Sequence, residues 1–317
     1  MTVHEHLKTF HELPVHAAPH PKDNRRQPAA DSVAWRVASH VYDHDHEWTD
    51  AFARFLDSVD STQVKAIVVG AWEEAYETDP AAVIEAIIAA KDRLPALRAL
   101  FLGDMTSEEC EISWINQTDV TPLLTAFPEL EELGTRGGQG LSLDAVAHRA
   151  LRRLTMESGG LPAAVVRGVA ACDLPALVHL DLWLGTPDYG GDAEIADLEP
   201  ILSGARLPSL RHLALRNSEM QDQVAAAVAA APVVARLETL DLSMGILTDD
   251  GAAALLTGQP LTHLKTLDLH YNYLTDPVRE RLTGILAPAG VDLFLDGDDA
   301  EEEEDDDEVW RYVAVGE

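Results

Sequence analysis

A short leucine phrase recurs through most of this chain: Leu, two residues, Leu, one residue and, in nearly every copy, an apolar residue. Its clearest copies are residues 237–242 and 264–269. A recurring phrase of this kind indicates stacked copies of one supersecondary unit, because one unit cannot bury its own apolar face. The leading leucines of the seven copies are Leu97, Leu130, Leu151, Leu177, Leu210, Leu237 and Leu264.

The copies are unevenly spaced. Their leading leucines are separated by 33, 21, 26, 33, 27 and 27 residues. A weaker copy begins upstream at Val64 and a degenerate one follows at Val291. We therefore expect one repeat architecture from about residue 60 to 295, with connections that differ from copy to copy.

The most regular copy resembles a known family. Residues 264–274 match the leucine-rich-repeat pattern LxxLxLxxNxL, with Asn272 at the asparagine position, and the spacing near 27 resembles the ribonuclease-inhibitor class. That resemblance implies an α/β leucine-rich-repeat solenoid, a horseshoe with a parallel sheet on the concave face and helices on the convex face. One departure is clear, because other residues take the asparagine position elsewhere: Gly138, Gly159, Gly185, Ser218 and Gly245.

The dipeptide Thr-Asp provides a second repeated signal. Both side chains accept hydrogen bonds from the free N–H groups of a first helical turn, and the aspartate charge favours that end of the helix dipole. The pairs predict helices over residues 81–91, 120–127, 251–256 and 278–286, and a further helix over 49–59. They begin at Thr49, Thr78, Thr118, Thr248 and Thr275.

Four segments are expected along the chain. Residues 1–60 should form an irregular arm followed by an α/β cap, with a strand within 32–41 and the helix over 49–59. Residues 61–295 should hold about eight repeats. Residues 296–308, with 11 acids among 13 residues, should be a solvated loop, and 309–317 a closing strand or cap.

The charge balance restricts the partners. The chain has 23 Lys and Arg against 55 Asp and Glu, a formal net charge of −32. Nucleic acid is not expected as a partner, since phosphate binding needs clustered basic residues. A basic protein would be attracted over long range.

The chain lacks the patterns of export and membrane insertion. No apolar run is long enough for a membrane span, and no apolar segment follows a charged N-terminus. The two cysteines, Cys110 and Cys172, form neither a metal motif nor a disulfide framework. We therefore expect a cytoplasmic protein with reduced, packed thiols and no membrane partner.

Signals for chemistry are few. Residues 43–47 are the most metal-like string, with His44 and His46 as weak candidate ligands, although no third ligand completes a site. Glycine-rich nucleotide loops and a GxSxG elbow are absent from the sequence. The chain is therefore expected to be neither an enzyme nor the holder of a cofactor.

The residues between the core leucines should point out of the concave face. In the first two repeats they are apolar, among them Val68 and Phe101, so we expect that part to be covered by residues 1–30 or to be an interface. The later repeats are polar there. We select as partner-binding candidates His179, Asp181, Trp183, His212, Arg216, Asp241, Asp268 and His270.

The leading expectation is a non-catalytic protein–protein interaction scaffold that uses its concave face. One alternative is an acidic regulatory or inhibitory subunit that captures a basic protein. A less favoured alternative is a metal-dependent enzyme or metal-binding protein that uses residues 43–47. The partner and the oligomeric state stay open.

Overall fold

A computed structural model describes residues 3–19, 26–39, 47–300, 302–305 and 308–316. In these ranges the α-helices are α1 Trp48–Ser58, α2 Ala81–Ala89, α3 Thr121–Ala126, α4 Ala163–Ala171, α5 Ile195–Ser203, α6 Gln221–Ala229, α7 Asp249–Thr257 and α8 Asp276–Leu286. The strands are β1 Thr9–Phe10, β2 Leu13–Ala17, β3 Ala34–Val37, β4 Ala66–Val69, β5 Ala99–Leu102, β6 Glu132–Arg136, β7 Arg153–Glu157, β8 His179–Gly185, β9 His212–Ser218, β10 Thr239–Asp241, β11 Thr266–Asp268, β12 Asp292–Phe294, β13 Glu302–Asp305 and β14 Glu308–Arg311.

The fold is mixed α/β with one long, mostly parallel sheet. Strands β1 to β12 follow one another across the sheet in chain order. All neighbours from β2 to β12 pair in parallel, and only β1 and β2 form an antiparallel pair. The leucine phrases lie side by side in register, as in the row Leu240, Leu267 and Leu293.

The core lies between this sheet and the helices. Leucines at the fourth and sixth phrase positions, such as Leu240 and Leu242, are fully buried against helix residues such as Leu255 and Val224. Strand side chains alternate between faces, so the residues between these leucines point to the other side. We call that other side the open face.

The shortest spacing has a direct structural consequence. Between β6 and β7 the chain has no helix, and isolated parallel bridges such as Asn116 to Gln139 continue the stacking. His148 is buried in this connection, where its Nε2 lies 3.1 Å from the carbonyl oxygen of Phe127. A repeat of 21 residues leaves less chain for a strand, two turns and a helix than the repeats of 26 to 33 residues elsewhere.

The Thr-Asp pairs only partly act as predicted. Asp79 and Asp119 accept the N–H groups of Ala81 and Thr121, both at 2.9 Å, and the hydroxyl of Thr248 accepts from Asp250. Thr49 does not cap α1 as predicted, because the helix begins one residue earlier and Thr49 lies inside its first turn. Thr275 precedes α8 but has no side-chain capping bond.

Asn272 performs the expected turn function. It is 2% exposed; its Oδ1 accepts the N–H of Leu247 at 3.0 Å, and its Nδ2 donates to the carbonyls of Leu242 and Leu269, both at 3.0 Å. Elsewhere a glutamine from outside the phrase supplies the amide. Gln221 donates to the carbonyl of Leu215 at 2.8 Å, and Gln117 to that of Arg136 at 2.8 Å. Two turns therefore keep a side-chain amide although the sequence lacks asparagine at the expected position.

The apolar part of the open face is covered by the N-terminal segment, as one of the two expectations stated. Phe10 packs edge-on against Phe101 with ring centroids 5.8 Å apart, in a cluster that includes Val68 and Leu13. The segment is less irregular than predicted, because β2 joins the main sheet beside β3.

Two expectations for the C-terminal end were wrong. The acidic run is not simply a loop, because β13 lies within it and pairs antiparallel with β14, with Arg311 bonded to Glu302 at 2.7 Å. The closing strand or cap predicted over 309–317 is a strand only as far as Arg311. Val313, Ala314 and Val315 instead return to the repeats, where burial removes their apolar side chains from water.

Candidate functional site

The structure brings the eight predicted partner-binding residues together at one end of the open face. His179 pairs with His212, Trp183 pairs with Arg216, and Asp241 pairs with Asp268 in adjacent strands. Asp181 lies on β8, and His270 follows β11 by two residues. We call these eight residues the open-face patch.

Arg216 is held between two carboxylates within this patch. Its Nε and Nη2 donate to the two oxygens of Asp181 at 3.0 and 2.7 Å, and its Nη1 lies 3.5 Å from an oxygen of Asp241. Burial disfavours the guanidinium charge, but these carboxylates outweigh it and raise the pKa of Arg216. The arginine is therefore a permanent cation with both neighbours engaged, fixed in position before any partner arrives.

Asp241 is tied to its own turn as well. Its Oδ1 accepts the N–H of Ser243 at 2.9 Å and its hydroxyl at 2.6 Å. Burial raises the pKa of Asp241, against the opposing effects of Arg216 and Ser243. A carboxylate held this way acts as part of the frame of the patch.

The two histidines of the first row stack on each other. The rings of His179 and His212 have centroids 3.8 Å apart and planes inclined by 10°. Burial, and next the adjacent His212 ring, lower the pKa of His179 to about 3, and burial also lowers the pKa of His212. Both rings are therefore neutral near pH 7 and offer flat, weakly polar surface.

At the far end of the patch the pKa of the histidine shifts in the opposite direction. The Nδ1 of His270 lies 2.7 Å from an oxygen of Asp268, and this hydrogen bond raises the pKa of His270. Its side chain is 41% exposed. The patch thus runs from neutral stacked rings to a solvent-facing imidazole that gains a proton more readily than usual.

Trp183 is not open to solvent. It is 8% exposed, with the guanidinium of Arg216 5.0 Å from its ring centroid. Ala314 and Val315 pack in the same apolar cluster. The periodicity placed Trp183 on the right face, but no repeat signal indicated that the C-terminal segment covers it.

A second polar network, nearer the N-terminus, was missed. Asp104 is fully buried; its Oδ2 accepts from Arg36 at 2.7 Å, its Oδ1 accepts the N–H of Leu7 at 2.9 Å, and Arg136 lies 3.6 Å away. Arg136 also donates to Glu157 at 2.7 Å. Asp104 follows its strand after a glycine, outside the repeat positions that the phrase identifies.

A cavity of about 360 Å³ lies between this network and the open-face patch. The N-terminal segment forms one wall and strands β5 to β8 the other, and the polar lining includes His11, Glu132, Arg153 and Asp181. His11 is bonded to Glu132 at 3.0 Å. Arg153 lies 3.4 Å from Glu132 as well, so these three side chains of the wall form one paired group.

The signals for other chemistry gain no support. Within the described ranges, no three His, Cys, Asp or Glu side chains are grouped so as to hold a metal ion. The weak candidates His44 and His46 lie outside the described residues. Cys110 and Cys172 are both buried, and burial raises the pKa of the Cys110 thiol to about 11. No helix in the described part of the chain is long and apolar enough to cross a membrane.

A solved structure is similar to this chain over most of its length. No family model and no curated protein matches the chain. A crystal structure of a Bacteroides fragilis protein does match, with 32% sequence identity and a TM-score of 0.75. The match covers 85% of this chain and 73% of the other. The chain therefore belongs to the same family as this Bacteroides fragilis protein.

Proposed function

We propose that this chain is a non-catalytic protein-interaction scaffold of the leucine-rich-repeat type, and that its open-face patch binds another protein. In this proposal the long sheet is the concave side of a solenoid and the helices lie on its convex side. The in-register parallel pairing of the leucine phrases and the hydrogen bonds of Asn272 support the repeat assignment. Fold alone does not establish function, so the patch has to support the rest.

The observation that carries the proposal is the rigidity of the patch. Arg216 is fixed by Asp181 and Asp241, and His179 is stacked on His212. Because these side chains are already ordered, a partner can bind them with little loss of side-chain entropy in this protein, which favours specific recognition. The accessible part consists of the partly exposed residues of the patch: His179, His212, Arg216, Asp268 and His270.

Charge favours a second candidate, an acidic regulatory subunit that captures a basic protein. The net charge of −32 attracts basic partners over a long range. Salt separates the two candidates. Raising the salt from about 0.05 M to about 0.5 M screens long-range attraction and would abolish capture driven by charge, whereas binding through the patch would weaken only modestly.

The test compares two matched double variants with the wild-type chain in affinity capture from the native host, followed by quantitative mass spectrometry. His212→Ala with His270→Ala changes the accessible patch. Glu280→Ala with Arg281→Ala changes exposed residues of α8. The proposal expects one protein captured by the wild type and the α8 variant to be lost with the patch variant. Equal capture by all three chains contradicts it.

A further inference from the structure

Three repeats end their strands with the same unusual backbone. Asn217, Met244 and Tyr271 have φ angles of 54°, 67° and 49° and occupy the eighth position of three successive repeat phrases. Asn217 lies near the end of β9, and the other two follow β10 and β11 by three residues. Non-glycine residues seldom adopt this left-handed conformation. These three recur at one repeat position, and together with Trp183 they line the surface on which the C-terminal segment lies. We call this surface the strand-end groove.

The C-terminal tail, residues 312–316, lies in this groove through main-chain hydrogen bonds. The N–H of Ala314 donates to the carbonyl of Met244 at 2.8 Å. The side-chain amide of Asn217 accepts from the N–H of Val315 at 2.9 Å and donates to its carbonyl at 2.6 Å. Bonds of this kind hold any extended peptide, whatever its side chains.

The side chains that enter the groove are small and apolar. Ala314 is 1% exposed and Val315 3% exposed, and both pack with Trp183, Met244 and Tyr271. Beyond them the carbonyl of Gly316 lies so close to Gly159 that a side chain at position 159 would collide with it. The groove therefore accepts small side chains at two successive positions. Gly159 leaves room for the peptide backbone that follows them.

The tail has the contacts of an inserted ligand. Val315 and Asn217 are 98 residues apart in the chain, and the acidic segment with β13 and β14 separates the tail from the last repeat strand. Before the groove the tail is held at Tyr312, whose N–H donates to the hydroxyl of Tyr273 at 3.0 Å. The bound tail also covers Trp183.

We propose that the strand-end groove is a peptide-binding site for an extended partner segment with small apolar residues at the positions of Ala314 and Val315, and that the C-terminal tail fills it in cis. The proposal goes beyond the function proposed for the open-face patch, because main-chain groups and small side chains carry it. Tethering gives the tail an effective concentration on the order of millimolar, so a free peptide competes poorly with it.

The test uses the full-length chain and a fluorescent peptide with the sequence of residues 312–317. Ala314→Trp in the protein replaces a buried alanine by a side chain too large for the groove, and so releases the tail. Fluorescence polarisation should then show saturable binding at least about 10-fold tighter than to the wild-type chain, whose own tail competes. A folded variant without saturable binding, or equal binding by both chains, overturns the proposal.

Two controls define the site. The same peptide carrying Ala314→Trp should not bind the variant protein. Adding Gly159→Leu to that protein should abolish binding of the unmodified peptide, because the new side chain occupies the path of Gly316. Peptide binding that survives both changes places it elsewhere and overturns the proposal.

Circular dichroism and thermal unfolding show whether releasing the tail preserves the fold. If Ala314→Trp does not unfold cooperatively, Val315→Asp and a chain ending at Arg311 repeat the measurement with different means of release. If all three chains lose cooperative unfolding, the tail is part of the core and the proposal fails. If any of them unfolds cooperatively, the peptide-binding measurement on that chain supports or overturns the proposal as stated above.

Discussion

The carboxylate of Asp222 in α6 accepts both hydrogen-bonding groups of Thr248, its N–H at 2.7 Å and its hydroxyl at 2.6 Å. One repeat later, Asp249 binds Thr275 in the same way, at 2.9 and 2.7 Å. An aspartate near the start of one helix therefore links successive repeats, because it holds the threonine that precedes the next helix. Asp249 does so as part of a Thr-Asp pair, and Asp222 follows a glutamine instead.

Replacing Asp222 by Ala should destabilise the protein by about 1–2 kcal/mol, because it leaves the start of α7 without an acceptor for Thr248 and for the N–H of Gly251. Chemical denaturation would measure the loss. The matched control is Asp250→Ala, which removes an exposed carboxylate from the first turn of α7. Equal losses in both variants would contradict a linking role.

Replacing Arg216 by Met should cost about 3–5 kcal/mol, because Asp181 and Asp241 are 5% and 7% exposed and would lose their cation. Adding Asp181→Asn should recover part of the loss, which a double-mutant cycle in urea measures. Lys265→Met, in an exposed pair with Glu238, should have little effect. An undiminished loss in the double variant would show that Asp181 is not the main partner.

The stacked histidines should make stability depend on pH. The folded pKa of His179 is lowered to about 3 from its usual 6.5, so below that usual value the unfolded chain binds a proton that the folded chain does not. The contribution of His179 to the free energy of unfolding is complete above pH 6.5. It decreases as the pH falls towards 3, by at most about 1.4 kcal/mol per pH unit. His179→Phe should remove this part of the slope in unfolding curves, and unchanged slopes would contradict the lowered pKa.

Replacing Phe10 by Ala should cost about 3 kcal/mol and expose the apolar part of the open face, because Phe10 is 7% exposed and packs on Phe101. Thermal unfolding and binding of a hydrophobic dye would report both effects. Phe294→Ala removes a ring that is 53% exposed and should change neither by much. A dye signal equal in the two variants would show that Phe10 does not cover the apolar part of the open face.

Much of the fold was readable because leucine spacing and strand alternation are local properties. Leu237 and Leu264 place their strands correctly, and the helices over 81–91 and 278–286 lie within two residues of α2 and α8. The position of the open-face residues follows from the same alternation, so their convergence was predictable. Exact helix starts were less predictable, because Thr49 and Thr275 do not cap the helices beside them.

The order of the repeats, the leucine core and the side of the sheet on which the patch lies follow from the residue pattern, because each depends on neighbours within a few residues. The folded chain alone shows that Arg216 lies between Asp181 and Asp241, that Gln221 replaces a missing asparagine, and that Val315 reaches Asn217. The repeat pattern does not specify which of these side chains pair. These contacts depend on packing and on which buried polar groups lack a partner, and both exist only once the chain has folded.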